Sequence, residues 1–186
     1  WLLEEGGRVL VPLCGKSVDL CWLARNHPVI GVEAVTQAIE EFLAEQGLEC
    51  TPDSLGSFQR WSMGGLTVLQ GDFFELTPSL SGPLRSVWDR AALVAIRSSR
   101  RQAYVEKLTE LLGSNGRILL VGWDADRPVD VGPPYRLTRD EVHRLFDPLA
   151  RVECVHSVRQ TPETDERVAA KGLDWVQLEA YRITLQ

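Results

Sequence analysis

Arg8-Val9-Leu10-Val11-Pro12-Leu13-Cys14-Gly15-Lys16-Ser17 is the stretch that decides the fold. Its first half is an unbroken apolar run that follows the turn residues Gly6-Gly7, which reads as a buried strand. The run ends abruptly in a short polar loop. Ser17 can then cap a helix carrying Leu20, Trp22 and Leu23, with Asp19 favourable in its first turn. Strand, tight loop and helix in that order open an α/β fold, and the loop lies at the C-terminal end of the strand.

The pattern repeats downstream. Val29-Ile30-Gly31-Val32-Glu33 is a second apolar strand ending in an acid, and Thr36 caps a helix with Ile39, Phe42 and Leu43 at helical spacing and Gly47 as its stop. Two β-like runs around Met63-Gly64-Gly65 predict a hairpin over Phe58–Gln70 that leads into Gly71-Asp72-Phe73-Phe74. Ser86-Val87-Trp88-Asp89 is a further core strand. Tyr104, Val105, Leu108, Leu111 and Leu112 mark an amphipathic helix stopped by Gly113, followed by a strand over Arg117–Trp123. Thr138-Arg139-Asp140-Glu141 is a capping box for a helix through Phe146. Two β-rich segments, Arg151–Val158 and Trp175–Leu185, close the chain without a strong helix between them. Alternation of this kind predicts a mainly parallel sheet covered on both faces, with a terminal hairpin adding one antiparallel strand.

The 186 residues fit a single domain, 1–186, with no internal repeat. The chain opens at Trp1, and Leu2-Leu3-Glu4-Glu5-Gly6-Gly7 reads as the end of a helix, so a truncated N-terminus is expected. A net charge of −6 argues against non-specific nucleic-acid binding, which needs a basic stripe against phosphates. No apolar run is long enough to span a bilayer, and no signal-peptide pattern opens the chain, so a cytoplasmic protein without a membrane partner is expected. The cysteines Cys14, Cys21, Cys50 and Cys154 form no CxxC pair, and His27, His143 and His156 are scattered. Reduced thiols and no metal site follow.

In open parallel sheets, ligands bind beyond the C-terminal ends of strands at the point where strand order reverses. The loops concerned are Leu13–Lys16, Glu33-Ala34, Asp72-Phe73, Asp89-Arg90 and Trp123–Pro134. Glu33 lies about 20 residues beyond the first loop, where a carboxylate can accept both hydroxyls of a ribose; the plainer alternative is a solvated acid at a helix start. Asp72 either accepts the exocyclic amine of an adenine or merely forms a turn. The first loop has one glycine and lacks both GxGxxG and the P-loop pattern. One close backbone approach, at Gly15, suits a cofactor without phosphate. S-adenosylmethionine is therefore favoured over NAD, and Lys16 reads as a solvated rim lysine.

Val11-Pro12-Leu13-Cys14-Gly15-Lys16-Ser17, Gly31-Val32-Glu33, Trp88-Asp89-Arg90-Ala91-Ala92-Leu93-Val94-Ala95-Ile96 and Gly132-Pro133-Pro134-Tyr135 together resemble the thiopurine S-methyltransferase family. The resemblance runs from Arg8 to the last strand. It implies a Rossmann-like, seven-stranded methyltransferase sheet, mostly parallel with one antiparallel strand near the C-terminus and helices on both faces. It also implies S-adenosyl-L-methionine as cofactor, S-adenosyl-L-homocysteine as product, and small aromatic or heterocyclic thiols as acceptors. Leu13, Cys14, Gly15, Glu33, Asp72, Phe73, Asp89 and Arg90 are then the cofactor-binding candidates. Arg90, near the methionine carboxylate and the acceptor, is the catalytic candidate; its alternative is a salt bridge to Asp89. Pro133, Pro134 and Tyr135 match a loop covering the acceptor, and Trp123 either lines that pocket or packs in the sheet.

The family also has an N-terminal aromatic segment that folds over cofactor and acceptor, which is expected to be lacking here. Halide, hydrosulfide, or tellurium and selenium species remain alternative acceptors, and a non-catalytic cofactor-binding protein is the alternative of another class. The chain is expected to be a monomer. Heteroaryl thiols are acidic enough to need no strong general base, which agrees with the lack of any His-Asp or Cys-His arrangement.

Overall fold

A computed structural model describes residues 7–128 and 131–186. The helix end expected over Leu2–Gly7 lies, Gly7 apart, outside the described residues, as do two positions of the Asp124–Leu137 loop. The chain divides into two compact units. One runs to Trp88 and includes Glu110–Gly116; the other comprises Asp89–Thr109 and Arg117–Gln186.

In the first unit β1 (Val9–Val11), β2 (Val29–Glu33) and β5 (Leu66–Gln70) are parallel neighbours, and β6 (Ser86–Asp89) lies parallel to β1 on its other side. β4 (Phe58–Met63) pairs antiparallel with β5 as the expected hairpin, and β3 (Asp53–Leu55) extends it. The order is thus β3-β4-β5-β2-β1-β6. The chain moves outward from β1 to β2 and later returns to β1's opposite side, so strand order reverses at β1. That reversal puts the Leu13–Ser17 loop at the switch point of strand order, where ligands bind in open α/β sheets.

Packing explains why β1 shows no polar alternation. Val9 and Val11 share a core cluster with Leu20 and Leu23 of α1 (Asp19–Ala24) and with Ile39, Phe42 and Leu43 of α2 (Thr36–Gln46). Leu10 points the opposite way in a pleated strand yet is also fully buried. Both faces of β1 are therefore covered. Gly47 takes the left-handed conformation that stops α2, with φ of 64°.

In the second unit β7 (Arg117–Ala125) runs antiparallel to β9 (Val176–Leu185), from Arg117 opposite Thr184 to Ala125 opposite Val176. β8 (Ala150–Gln160) pairs with the other side of β9, with a register shift between Cys154 and His156. Half of the expected capping box forms: Thr138 Oγ1 accepts from the Glu141 amide at 3.2 Å at the start of α6 (Arg139–Phe146), whereas the Glu141 carboxylate turns to Arg101 and Arg144. The short helices α3 (Pro78–Ser81), α4 (Ala92–Ala95) and α7 (Glu166–Ala170) accompany the long α5 (Ser98–Leu112). Of these, α7 occupies the connection between the last two strands that was read as having no strong helix.

Three expectations need correction. Nine strands, not seven, are present among the described residues. The added β3 is exposed at Asp53 and Ser54 and so carries no apolar alternation to announce it. Its Asp53 is ion-paired with Arg60 across the ladder. Antiparallel pairing is not confined to one strand near the C-terminus: β1–β2, β1–β6 and β2–β5 are parallel, whereas β3–β4, β4–β5, β7–β9 and β8–β9 are antiparallel. Thr36 is the first helical residue of α2, not its cap, because its hydroxyl is taken by Gln70 Nε2 at 2.6 Å. No helix among the described residues is long and apolar enough to cross a membrane.

Candidate active site

The loop after β1 is shaped by two left-handed residues, Leu13 with φ of 46° and Gly15 with φ of 49°. For Leu13 this conformation costs roughly 1–2 kcal/mol, which the surrounding contacts must offset. The Cys14 amide donates to the Val32 carbonyl at 2.9 Å, and the Ser17 amide donates to the Cys14 carbonyl at 3.0 Å. Cys14 is buried against Gly31, where an added Cβ would lie 2.8 Å from Sγ. Glycine at 31 is thus what admits the thiol. Burial, reinforced by the nearby Glu33 carboxylate, pushes that thiol up to about 12. Cys14 is consequently a packed, protonated side chain and no nucleophile.

Gly15 donates its amide to Glu33 Oε2 at 2.9 Å, and the Val35 amide donates to Glu33 Oε1 at 2.9 Å. The carboxylate is aimed by main-chain donors from both of its neighbouring loops, and each oxygen keeps a lone pair for a further donor. Beside Gly15 the space is open, since an added Cβ would meet nothing within 4 Å. Lys16 is exposed but not merely solvated. It pairs with Glu41 at 3.0 Å and Glu45 at 2.7 Å, tying the loop to α2.

Glu33 is the register partner of Gln70 at the end of β5, and the Gly71 amide donates to the Glu33 carbonyl at 3.0 Å. Gln70 is itself held by Trp61 Nε1 at 3.2 Å. Asp72 follows, exposed, with Oδ1 accepting from the Phe74 amide at 2.9 Å at the start of a 3-10 turn. Phe73 is buried and meets Phe74 edge-on at 5.7 Å between centroids. The first unit therefore brings Leu13, Gly15 and Glu33 together, with Asp72 two residues beyond Glu33's partner. Cys14 lies beneath them.

In the second unit Asp89 is fully buried. Its Oδ1 accepts from the amides of Ala92 at 2.9 Å and Leu93 at 3.1 Å, and its Oδ2 accepts from the Tyr104 hydroxyl at 2.7 Å. Burial raises its pKa against the pull of these donors and drives the Tyr104 phenol well up as well. Asp89 thus fixes the turn that presents the exposed Arg90, rather than reaching solvent itself.

Around the end of β7, Trp123 is mostly buried and its carbonyl accepts from the Leu137 amide at 2.8 Å. Its indole forms one wall of a small cavity of about 190 Å³ with Val168, Val176 and Leu178. Of the expected cover loop, Pro133 is exposed and Pro134 half-buried, while Tyr135 is buried with its amide donating to the Val94 carbonyl at 2.7 Å. Arg101 holds this loop and was missed in the sequence. Its fully buried guanidinium donates to the carbonyls of Ile96, Tyr135 and Arg136 and to Glu141 at 2.6 Å. The signal was its place three residues before Tyr104 and four before Val105, on the apolar face of α5.

The Thiopurine S-methyltransferase (TPMT) family model matches residues 2–186. The chain belongs to the thiopurine S-methyltransferase family. The thiopurine S-methyltransferase of Methylococcus capsulatus is 39% identical over 96% of this chain and 81% of its own length. That of Pseudomonas putida strain F1 is 36% identical over 94% and 82%. Among solved structures, the Burkholderia thailandensis 1,6-didemethyltoxoflavin-N1-methyltransferase with bound S-adenosylhomocysteine superposes with a TM-score of 0.62 at 15% identity, over 98% of this chain and 72% of that one. At that identity the likeness concerns the fold alone, an α/β methyltransferase fold. Gly15, Glu33, Asp89 and Arg90 all lie in the motifs that carry the sequence resemblance. Among the described residues no cluster of His, Cys, Asp or Glu is placed to hold a metal ion.

Proposed function

We propose that the chain is an S-adenosylmethionine-dependent S-methyltransferase acting on small aromatic or heterocyclic thiols. The observation that carries this reading is family membership over 2–186, read with the Glu33 carboxylate aimed at the end of β2. The residues present fit the cofactor. Glu33 offers free lone pairs to a ribose diol, and open space adjoins the Gly15 main chain where a side chain would intrude. When bound, the cofactor supplies an electrophilic sulfonium methyl group.

The chain's own residues bind, orient and exclude water. Glu33 accepts the ribose hydroxyls, Leu13 lines the cofactor with its side chain, and Gly15 lines it with its backbone. Asp72 accepts the adenine amine with its free Oδ2, beside the Phe73–Phe74 pair. Arg90, presented by the Asp89 turn, holds the methionine carboxylate. An acceptor thiol that is already ionised requires no base, so alignment supplies most of the acceleration. Trp123 and the Pro133-Pro134-Tyr135 segment form the acceptor's surroundings.

The test is transfer of labelled methyl from S-adenosylmethionine to a panel holding a heteroaryl thiol, hydrosulfide, halide, tellurite and selenite. Label on the heteroaryl thiol at the highest kcat/KM supports the proposal. Preference for an inorganic acceptor overturns the acceptor class, and cofactor binding without any transfer overturns the enzyme.

A further inference from the structure

Gln70 ends β5 and is the register partner of Glu33 at the end of β2. Register partners in a parallel pair point their side chains to the same face of the sheet, so Gln70 shares a face with Glu33. Two hydrogen bonds settle which way its amide points. Trp61 Nε1 is a donor only, so the Gln70 atom it meets at 3.2 Å is Oε1. Nε2 is thereby turned to Thr36 Oγ1, to which it donates at 2.6 Å. Trp61 is itself buried with Leu43 and Val68 in the core cluster, which anchors the amide to a packed part of the sheet.

Thr36 opens α2, and that helix start has little local support. Val35 at the N-cap makes no side-chain cap hydrogen bond, and the first turn carries no acid. Such a start forgoes what a capping oxygen or an N-terminal carboxylate would add. Its restraint comes from Gln70, 34 residues away in sequence. Only Ala34 and Val35 separate Glu33 from Thr36, and the Val35 amide is one of the two donors that aim the Glu33 carboxylate. At the other end of this turn the Gly71 amide, next after Gln70, donates to the Glu33 carbonyl at 3.0 Å. The Glu33–Thr36 turn is therefore gripped at both ends from the end of β5.

We propose that Gln70 is a positioning residue: its carboxamide clamps the first residue of α2 and so keeps the Val35 amide on Glu33 in the geometry that receives the cofactor's ribose. Its effect on cofactor affinity rests on the reading of Glu33 as the ribose acceptor. Its effect on the turn does not.

The experiment uses Thr36→Val, which removes the hydroxyl but leaves Trp61 its acceptor, and Thr36→Ser, which keeps the hydroxyl. Gln70→Leu and the double variant Thr36→Val/Gln70→Leu complete the set. Calorimetry with S-adenosylhomocysteine reads affinity, and NMR reads amide exchange at Gly15 and Val35 in the ligand-free protein. Thr36→Val weakens affinity about three- to tenfold, the size of one neutral hydrogen bond, and speeds exchange at Val35 by a similar factor. With a heteroaryl thiol as acceptor, KM for S-adenosylmethionine rises likewise while kcat changes by less than about twofold. Thr36→Ser stays close to the wild type in every measurement. The double variant binds no more weakly than Gln70→Leu alone, because both changes remove the same contact. Gln70→Leu also strands Trp61 Nε1, so if it fails to fold the two threonine variants decide alone. Unchanged affinity together with unchanged exchange at Val35 in Thr36→Val overturns the proposal. Absence of S-adenosylhomocysteine binding by the wild type overturns the ribose reading of Glu33. Exchange at Val35 in Thr36→Val then decides on the clamp by itself, faster exchange supporting it and unchanged exchange overturning it.

Discussion

The main-chain amide of Gly15 donates to the Glu33 carboxylate at 2.9 Å, so the loop after β1 and the end of β2 are set by one hydrogen bond. That bond fixes the acid in place before any ligand arrives. Preorganisation of this kind lowers the ordering cost of binding.

Glu33→Gln keeps the shape and loses the charge, and Glu33→Ala loses both. Isothermal calorimetry with S-adenosylmethionine should show affinity weakened roughly tenfold or more for Gln and further for Ala, as expected for hydrogen bonds to a charged group. Gly15→Ala separates the loop from the acid. No protein atom lies within 4 Å of the new Cβ, so stability falls by only about 1–2 kcal/mol for the left-handed backbone, while affinity falls much more. Equal affinity in Gly15→Ala and the wild type would place the cofactor elsewhere.

Asp89 gives a prediction about pH. Burial raises its folded-state pKa above the unfolded value of about 4. Between those two values the folded state holds the extra proton, so stability declines as pH rises through this window and is fully present below it. Asp89→Asn has no such titration and still offers an oxygen to the Ala92 and Leu93 amides. Urea midpoints of the two proteins, taken from pH 4 to pH 7, should show the wild type losing ground to the Asn variant as pH rises. Asp89→Ala leaves two amides and the Tyr104 hydroxyl without an acceptor and should cost about 2–4 kcal/mol at low pH, and less as pH rises through the window in which the wild type loses ground.

The strand-end acids were legible because each ends an apolar run: Glu33 after Val29–Val32, Asp89 after Ser86–Trp88. Their different fates were not. Glu33 remains half-exposed with lone pairs to offer, whereas Asp89 is enclosed by the first turn of α4 and by Tyr104, fifteen residues on. Local pattern contains no information on a partner that α5 brings in. β3 escaped for a related reason, since its pairing relies on main-chain bonds and the Arg60–Asp53 contact rather than on apolar alternation. Lys16 read as solvated because its partners, Glu41 and Glu45, lie two turns into a helix that folds back over the loop.

Arg101 reads as a break in the apolar pattern of α5, although its spacing from Tyr104 and Val105 puts it on the buried face. It is enclosed by three carbonyls and Glu141. Arg101→Ala leaves those carbonyls without their donor and Glu141 with Arg144 alone at 3.3 Å, and should lower stability by about 2–4 kcal/mol in chemical denaturation. Arg101→Lys cannot reach all four acceptors with one ammonium and should recover less than half of that loss. A fall below about 1 kcal/mol for Arg101→Ala would mean the segment from Tyr135 to Arg136 is held by other contacts, such as the Tyr135 amide on Val94.

Cys14 sits inside the loop after β1, buried against Gly31, where its thiol stays protonated. With its pKa near 12, the thiolate fraction at pH 8 is on the order of one in ten thousand, against roughly a quarter for an ordinary cysteine. Cys50 and Cys154 are only partly buried. Iodoacetamide pulses on the native protein, followed by peptide mass spectrometry, should therefore label Cys50 and Cys154 long before Cys14. Labelling in urea should make all four cysteines equivalent. If Cys14 reacts first in the native protein, the thiol is neither buried nor protonated, and the close fit between its sulfur and Gly31 that shapes the loop does not hold in solution.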